Sequence, residues 1–192
     1  MRSRLVLVSA LVTLAACGSP TGMPDAGGCT DSGKTPPNLL ENPGFECDTS
    51  PATWSAIFGK LDFVSGGRSG RAAQVTVDAT GGRFTYAKEF APNPGTKSYC
   101  FTAWKAGTAP FIRMRVLRDF NGSVQEVAFS DQNFSDFRKI PTQKVTADNA
   151  PKLLLVFEVQ TNRTDGMNAM PGQTMLIDDV DVWETTSNCN ER

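Results

Sequence analysis

Apolar and polar residues alternate with a period of two in several short runs along the chain. In Gln74–Asp78, Val75 and Val77 point one way, while Gln74, Thr76 and Asp78 point the other. In Phe111–Arg118, Ile112, Met114 and Val116 share a face opposite Arg113 and Arg115. In Leu153–Gln160, Leu153, Leu155, Phe157 and Val159 line one side. Successive side chains of a strand leave opposite faces, so this pattern predicts half-buried strands. Phe84–Phe90, Tyr99–Lys105, Val124–Phe129, Arg138–Val145 and Met175–Trp183 are further strand candidates. Gly66-Gly67, Gly81-Gly82, Pro92–Gly95, Asn121-Gly122, Asp148–Pro151 and Asp165-Gly166 punctuate them, and Asn-Gly between two strand patterns predicts a tight hairpin. No helix longer than a turn and no internal repeat is predicted. About eight or nine antiparallel strands at this spacing predict an all-β fold, a β-sandwich of the jelly-roll form.

The first residues follow a different pattern. Arg2 and Arg4 precede an apolar run from Leu5 to Ala16 that ends in Leu14-Ala15-Ala16-Cys17. A charged start, a short apolar stretch and small residues before a cleavage point describe a secretory signal, too short for a membrane span. The cysteine after the small pair resembles a bacterial lipobox, with residues 1–16 removed and lipid attached at Cys17. Gly18, not an aspartate, follows, which points to the bacterial envelope and the outer membrane. From Gly18 to Pro37, eleven of twenty residues are Gly, Pro or Ser. Such a segment cannot bury a core, so 17–37 reads as a lipidated cysteine and flexible tether with a reach on the order of 25 Å. Residues 38–192 form the body, expected as a monomer and long enough for a hydrophobic core.

Composition narrows the chemistry. The chain contains no histidine, which excludes a Ser-His-Asp triad, a Cys-His dyad and a His-ligated zinc. A net charge of −1 gives no footprint for nucleic acid. Beyond Cys17, Cys29, Cys47, Cys100 and Cys189 make an even set that reads as two disulfides in an exported protein, with three connectivities open. Cys47–Cys100 and Cys29–Cys189 are the expected pairs. A metal cluster is disfavoured because no C-x-x-C spacing occurs.

Three places carry a family signal. The body opens with Asn38-Leu39-Leu40-Glu41-Asn42-Pro43-Gly44-Phe45-Glu46, followed by Trp54-Ser55. A turn, Ser65-Gly66-Gly67-Arg68-Ser69-Gly70-Arg71, leads into Ala72–Asp78, and Leu176-Ile177-Asp178-Asp179-Val180 stands near the end. In this order they resemble the CenC-like carbohydrate-binding modules of families 4, 9 and 22, as do Tyr99–Lys105 and Phe137–Thr146 between them. The resemblance spans nearly all of 38–184. It implies a two-sheet jelly roll, no catalysis and a structural calcium.

Taken as a strand, Met175–Trp183 places Asp178 with Leu176, Val180 and Val182 on the core face, with Asp179 and Asp181 opposite. A buried carboxylate needs a partner. Glu46 and carbonyls of the Arg68–Gly70 turn, joined to Asp178, would suit calcium, a hard cation wanting six to eight oxygens. The competing readings are a purely hydrogen-bonded Asp178, or a glycosidase acid/base pair, which would need an open cleft. Flat rings and flanking polar groups bind sugars. Trp54, Tyr86, Trp104, Trp183 and Phe84 are the rings, with Arg113, Arg115, Gln125 and Glu158 nearby in strand terms, and Tyr86 and Trp104 with Arg113 and Arg115 are the preferred ligand-binding set. A cross-strand ion pair with Glu126 is the alternative for the arginines. The expected function is a non-catalytic, lipid-anchored protein that binds a glycan or polysaccharide; the alternative is a structural or adhesive sandwich with no sugar site.

Overall fold

The computed structural model describes residues 36–47, 54–86, 96–132 and 134–189, and the signal segment, Cys17 and Cys29 lie outside them. Eleven strands and no helix occur among the described residues. The first sheet is built from β1 (Trp54–Phe58), β4 (Gly82–Tyr86), β10 (Lys152–Val159), β6 (Ile112–Phe120) and β7 (Ser123–Gln132), side by side in that order. The second runs β2 (Lys60–Ser65), β3 (Arg71–Thr76), β11 (Thr174–Thr185) and β5 (Ser98–Gly107), with β8 (Arg138–Lys139) and β9 (Gln143–Thr146) both paired to β5. All the pairings are antiparallel. Phe84, Met114, Leu155 and Phe157 from one sheet meet Val75, Phe101, Ile177 and Val182 from the other in a single apolar cluster. Each such side chain removed from water contributes roughly 1.5–3 kcal/mol. The architecture is the expected jelly-roll sandwich.

Where the periodicity was clean, the structure follows it. Ile112, Met114, Val116, Leu153, Leu155 and Phe157 are all fully buried. Asn121 (φ 57°) and Gly122 (φ 99°) form the two-residue turn between Phe120 and Ser123, and positive φ at both positions matches the right-handed twist of the flanking strands. The Asp119 carboxylate accepts the Gly122 N–H at 2.7 Å and seals the turn.

Three departures have local causes. Strands β1 and β2 add an edge to each sheet, β1 pairing with β4 and β2 with β3, and Trp54–Phe58 carries too little alternation to register. The single strand expected over Arg138–Val145 is two, since Pro141 has no N–H to give a ladder. In β11 a bulge separates Asp178 from Asp181, with Asp179 at φ 45°. The extra residue resets the parity. Met175 and Ile177 therefore face the core before the bulge, and Val180 and Val182 face it after. Asp178 is thus not on the core face as its spacing implied. It pairs with Trp104 on the outer side of the second sheet.

The opening motif acts as a plug. Asn42 (φ 47°) and Phe45 (φ 58°) adopt left-handed backbone, closed by Phe45 N–H donating to the Asn42 carbonyl at 3.2 Å. Phe45 enters the core edge-on to Trp54, ring centroids 5.0 Å apart, and the Pro43 carbonyl accepts the Val180 N–H beside the bulge. Burial of the ring offsets the cost of the left-handed residues, about 1–2 kcal/mol each.

The disulfide pairing differs from expectation. Cys100 in β5 bonds Cys189, with Cα atoms 5.7 Å apart. Cys100 pairs in register with Trp183 on the outer side of the second sheet, and the chain after β11 doubles back across that side, with Lys144 Nζ donating to the Ser187 carbonyl at 2.6 Å. A Cys47–Cys100 bond is therefore excluded, and so is Cys29–Cys189. Cys47 is itself disulfide-bonded.

Candidate functional site

Two charged centres lie on the outer faces of the two sheets. On the first sheet, alternation turns the residues between the core positions outward. The ladder sets Glu158 of β10 directly between Arg83 of β4 and Arg113 of β6, and Val156 between Thr85 and Arg115. Glu158 is only 1 % exposed, and three guanidinium groups converge on its carboxylate. Arg83 Nη2 reaches Oε2 at 2.7 Å, Arg113 Nη1 reaches Oε1 at 3.0 Å, and Arg115 Nη1 reaches both oxygens at 3.4 Å. Arg115 also pairs with Glu126 across the hairpin at 2.6 Å, as the ion-pair alternative anticipated. Arg113 Nη2 donates to Gln160 Oε1 at 3.4 Å. Charge-assisted bonds between planar groups hold these side chains in fixed orientations. At the β1 edge, Phe58 is 39 % exposed and lies 5.3 Å from the Arg83 guanidinium. The resulting surface is a row of oriented donors and acceptors bordered by a ring.

On the second sheet the centre is the loop joining β2 to β3. Asp178, fully buried, accepts the backbone N–H groups of Arg68 (2.7 Å) and Ser69 (3.4 Å) on Oδ2 and that of Asp179 (2.7 Å) on Oδ1. Glu46 Oε1 accepts the Arg71 N–H at 3.0 Å. A side chain at Gly67 would stand 2.6 Å from Asp178 Oδ2, and one at Gly70 would stand 2.5 Å from Glu46 Oε1. The glycines let the loop wrap two carboxylates that pair with no Lys or Arg side chain among the described residues. Burial, and then the neighbouring Asp179 charge, push the Asp178 carboxyl up to about 6. Arg68 turns its guanidinium away from Asp178, onto Asp179 and over the Trp104 ring at 4.2 Å from the centroid.

This donor set fits a hard cation in part. Glu46 and Asp178 present carboxylate oxygens to one glycine-lined loop, as calcium requires. Among the described residues, however, no group of three or more His, Cys, Asp or Glu side chains is arranged around a common point. The remaining ligands would have to be carbonyls or water. The Gly70 carbonyl already accepts the Gly66 and Gly67 N–H groups, at 3.0 and 2.9 Å. Asp178 is closed off from solvent, the reverse of what a glycosidase acid/base pair with Glu46 would need.

The four residues expected to bind ligand do not converge. Arg113 and Arg115 stand together on the first sheet. Tyr86 is fully buried, its ring 4.7 Å from Trp54 and its hydroxyl accepting the Glu41 N–H at 3.2 Å. Trp104 faces out from the opposite sheet, under Arg68. Both corrections follow from parity: Tyr86 shares the inward parity of Phe84, and Trp104 alternates with core-facing Phe101 and Ala103 across one interval. Of the other candidate rings, Trp54, Phe84 and Trp183 are buried. Arg83, Phe58 and Gln160 were missed. Arg83 and Phe84 share a strand pattern in which Arg83 is the outward position, and that signal was legible.

No family model matches the sequence, and no curated protein matches it. Among solved structures, the chain is similar to TmCBM61 in complex with β-1,4-galactotriose, at 16% identity and a TM-score of 0.51, over 77% of this chain and 99% of that one. It is also similar to the two xylan-binding domains of Paenibacillus barcinonensis Xyn10C. For CBM22-1 the identity is 17% and the TM-score 0.56, over 79% of this chain and 96% of that one. For CBM22-2 the identity is 17% and the TM-score 0.56, over 72% and 95%. The chain has the fold of these carbohydrate-binding modules.

Proposed function

We propose that this chain is a non-catalytic glycan-binding protein held at a bacterial surface by lipid at Cys17. The observation that supports the reading best is the outer face of the first sheet, where Arg83, Arg113, Arg115, Glu158 and Gln160 form a fixed row beside the Phe58 ring. Sugar hydroxyls come as vicinal pairs, and guanidinium groups held in register by the buried Glu158 can each engage such a pair. The fold places this row on an open sheet face, in modules of which known examples bind galactotriose and xylan. The tether would carry the face clear of the membrane.

Calcium belongs to the same proposal. Glu46 and Asp178 would hold it with backbone or water oxygens, and it would supply the counter-charge that the Asp178 carboxylate lacks. Its role would be structural, joining the opening motif, the Gly66–Gly70 loop and the β11 bulge. Bound only to the folded chain, it would stabilise by about 2.7 kcal/mol at one hundred times its dissociation constant.

A structural or adhesive role is the second reading, and one observation favours it. Trp54, Tyr86, Tyr99 and Trp183 are buried, so few large rings are left to stack on sugars. Retention on insoluble polysaccharides and a glycan array separates the two readings. Glycan binding predicts saturable retention of the mature domain and at least a tenfold weaker affinity in Arg115→Ala. If no glycan is retained, the adhesive reading stands; if glycan is retained but the variant binds equally well, the charged row is not the binding face.

A further inference from the structure

A separate concavity lies where the chain crosses between the sheets. The segment after β7, on the edge of the first sheet, passes to β8, on the edge of the second, opposite the turn from β5 to β6. The two stretches border an open cleft of about 550 Å3, lined by Thr108, Pro110, Phe134, Ser135, Asp136 and Arg138 among others. That volume falls within the roughly 300–1,000 Å3 of small-ligand clefts.

One wall is rigid. Thr108 Oγ accepts the Thr174 N–H at 2.9 Å, and the Ala109 N–H donates to the Thr174 carbonyl at 3.0 Å. Gly107, at φ 140°, lets β5 turn here, since a Cβ would come within 2.2 Å of the Thr174 carbonyl oxygen. The facing wall is polar and adjustable. Arg138 is fixed at its backbone by pairing with Lys105, but its guanidinium lies 5.6 Å from the Phe134 ring and 3.9 Å from Asp136. Their side chains are 58% and 79% exposed, so this pair is weakly held and exchanges readily with another hydrogen-bonding group.

We propose that this cleft is a second ligand site, distinct from the first sheet's outer face, taking one neutral pyranose unit. The chemistry matches on three counts. Phe134 and Pro110 offer an apolar wall for the C–H face of a sugar ring. Asp136 and Arg138 supply an acceptor and a donor fork for adjacent hydroxyls. The two charges cancel, so the site has no excess cation to favour an acidic sugar.

The test is titration of the isotope-labelled mature domain with D-glucose, D-galactose, D-mannose and D-xylose, with D-glucuronate as the acidic counterpart, followed by amide shifts. At least one neutral sugar should give saturable shifts at Thr108, Ser135 and Arg138 with a millimolar dissociation constant, and glucuronate should bind no tighter. Arg138→Ala and Asp136→Asn, both at exposed positions, should each weaken that binding at least fivefold. Shifts at Arg83, Arg113 and Arg115 report the sheet face separately, so either site can fail alone. The proposal is overturned if no neutral sugar saturates the cleft amides, if both variants bind as the parent does, or if glucuronate binds more tightly.

Discussion

Replacing Glu158 by glutamine tests whether the charged row is one cooperative unit. The substitution keeps the side-chain shape and leaves an oxygen to accept a hydrogen bond, but removes the negative charge on which Arg83, Arg113 and Arg115 converge. Each contact of about 3 Å is worth on the order of 5 kcal/mol at an effective dielectric near 20 before desolvation is counted. Removing one partner of a buried pair costs about 3–5 kcal/mol. Here the arginine side chains remain 21–31% exposed and water screens them, so the lower end applies. We expect a loss of about 3 kcal/mol, which for a domain near 150 residues lowers Tm by roughly 6–12 °C. Glu126→Gln is the control. That carboxylate is 31% exposed and pairs with Arg115, so its loss should cost under about 1 kcal/mol. Urea denaturation at low and high sodium chloride provides the assay. Salt screens the repulsion among the guanidinium groups left behind, so the deficit of Glu158→Gln should narrow as salt rises. A deficit below about 1 kcal/mol, or one equal to that of Glu126→Gln, would refute the cooperative reading.

Further outcomes are expected. In chelator, stability should fall as pH rises from about 4 to 7, because the folded Asp178 carboxyl, pushed up to about 6, sits above its unfolded value of 3.8 and resists ionisation. The size is up to about 3 kcal/mol, millimolar calcium should erase it, and an unchanged pH slope in Asp178→Asn would sink the assignment. Asp78, held down to about 2 by the Thr80 hydroxyl and by N–H groups of Thr80 and Gly59, acts oppositely and only below pH 4, so the two windows separate. Cys189→Ser should destabilise by up to about 4–5 kcal/mol in the chain-entropy model, since the bond spans 89 residues; peptide mapping without reductant that recovers Cys47–Cys100 would contradict the structure. Cys17→Ser should release the protein from the membrane fraction or block its processing, and normal processing with unchanged membrane association would defeat the lipid anchor.

Much of the architecture was readable from side-chain alternation because a strand's parity is a local property. Leu153–Val159 and Ile112–Val116 needed only their own sequence to declare an inward face, and Asn121-Gly122 its own backbone preference. The resemblance carried by the opening motif, the glycine loop and the acidic pair pointed to Glu46, the Arg68–Gly70 turn and Asp178 as one centre, and the structure brings them together. What the sequence did not determine depended on contacts between distant segments. Period-two counting cannot see the bulge at Asp179, so it assigned Asp178 to the core, when in fact the β2–β3 loop buries it from outside. Tyr86 and Trp104 are both rings at strand positions; parity with Phe84 and with Ala103 separates inward from outward, but only the pairing of the strands puts the two rings on different sheets. The disulfide was decided by the return of the chain past β11, which brings Cys189 over Cys100. The convergence of three arginines on Glu158 likewise required β4, β10 and β6 to lie side by side, an order set by how the whole sandwich closes over its core and by no single strand.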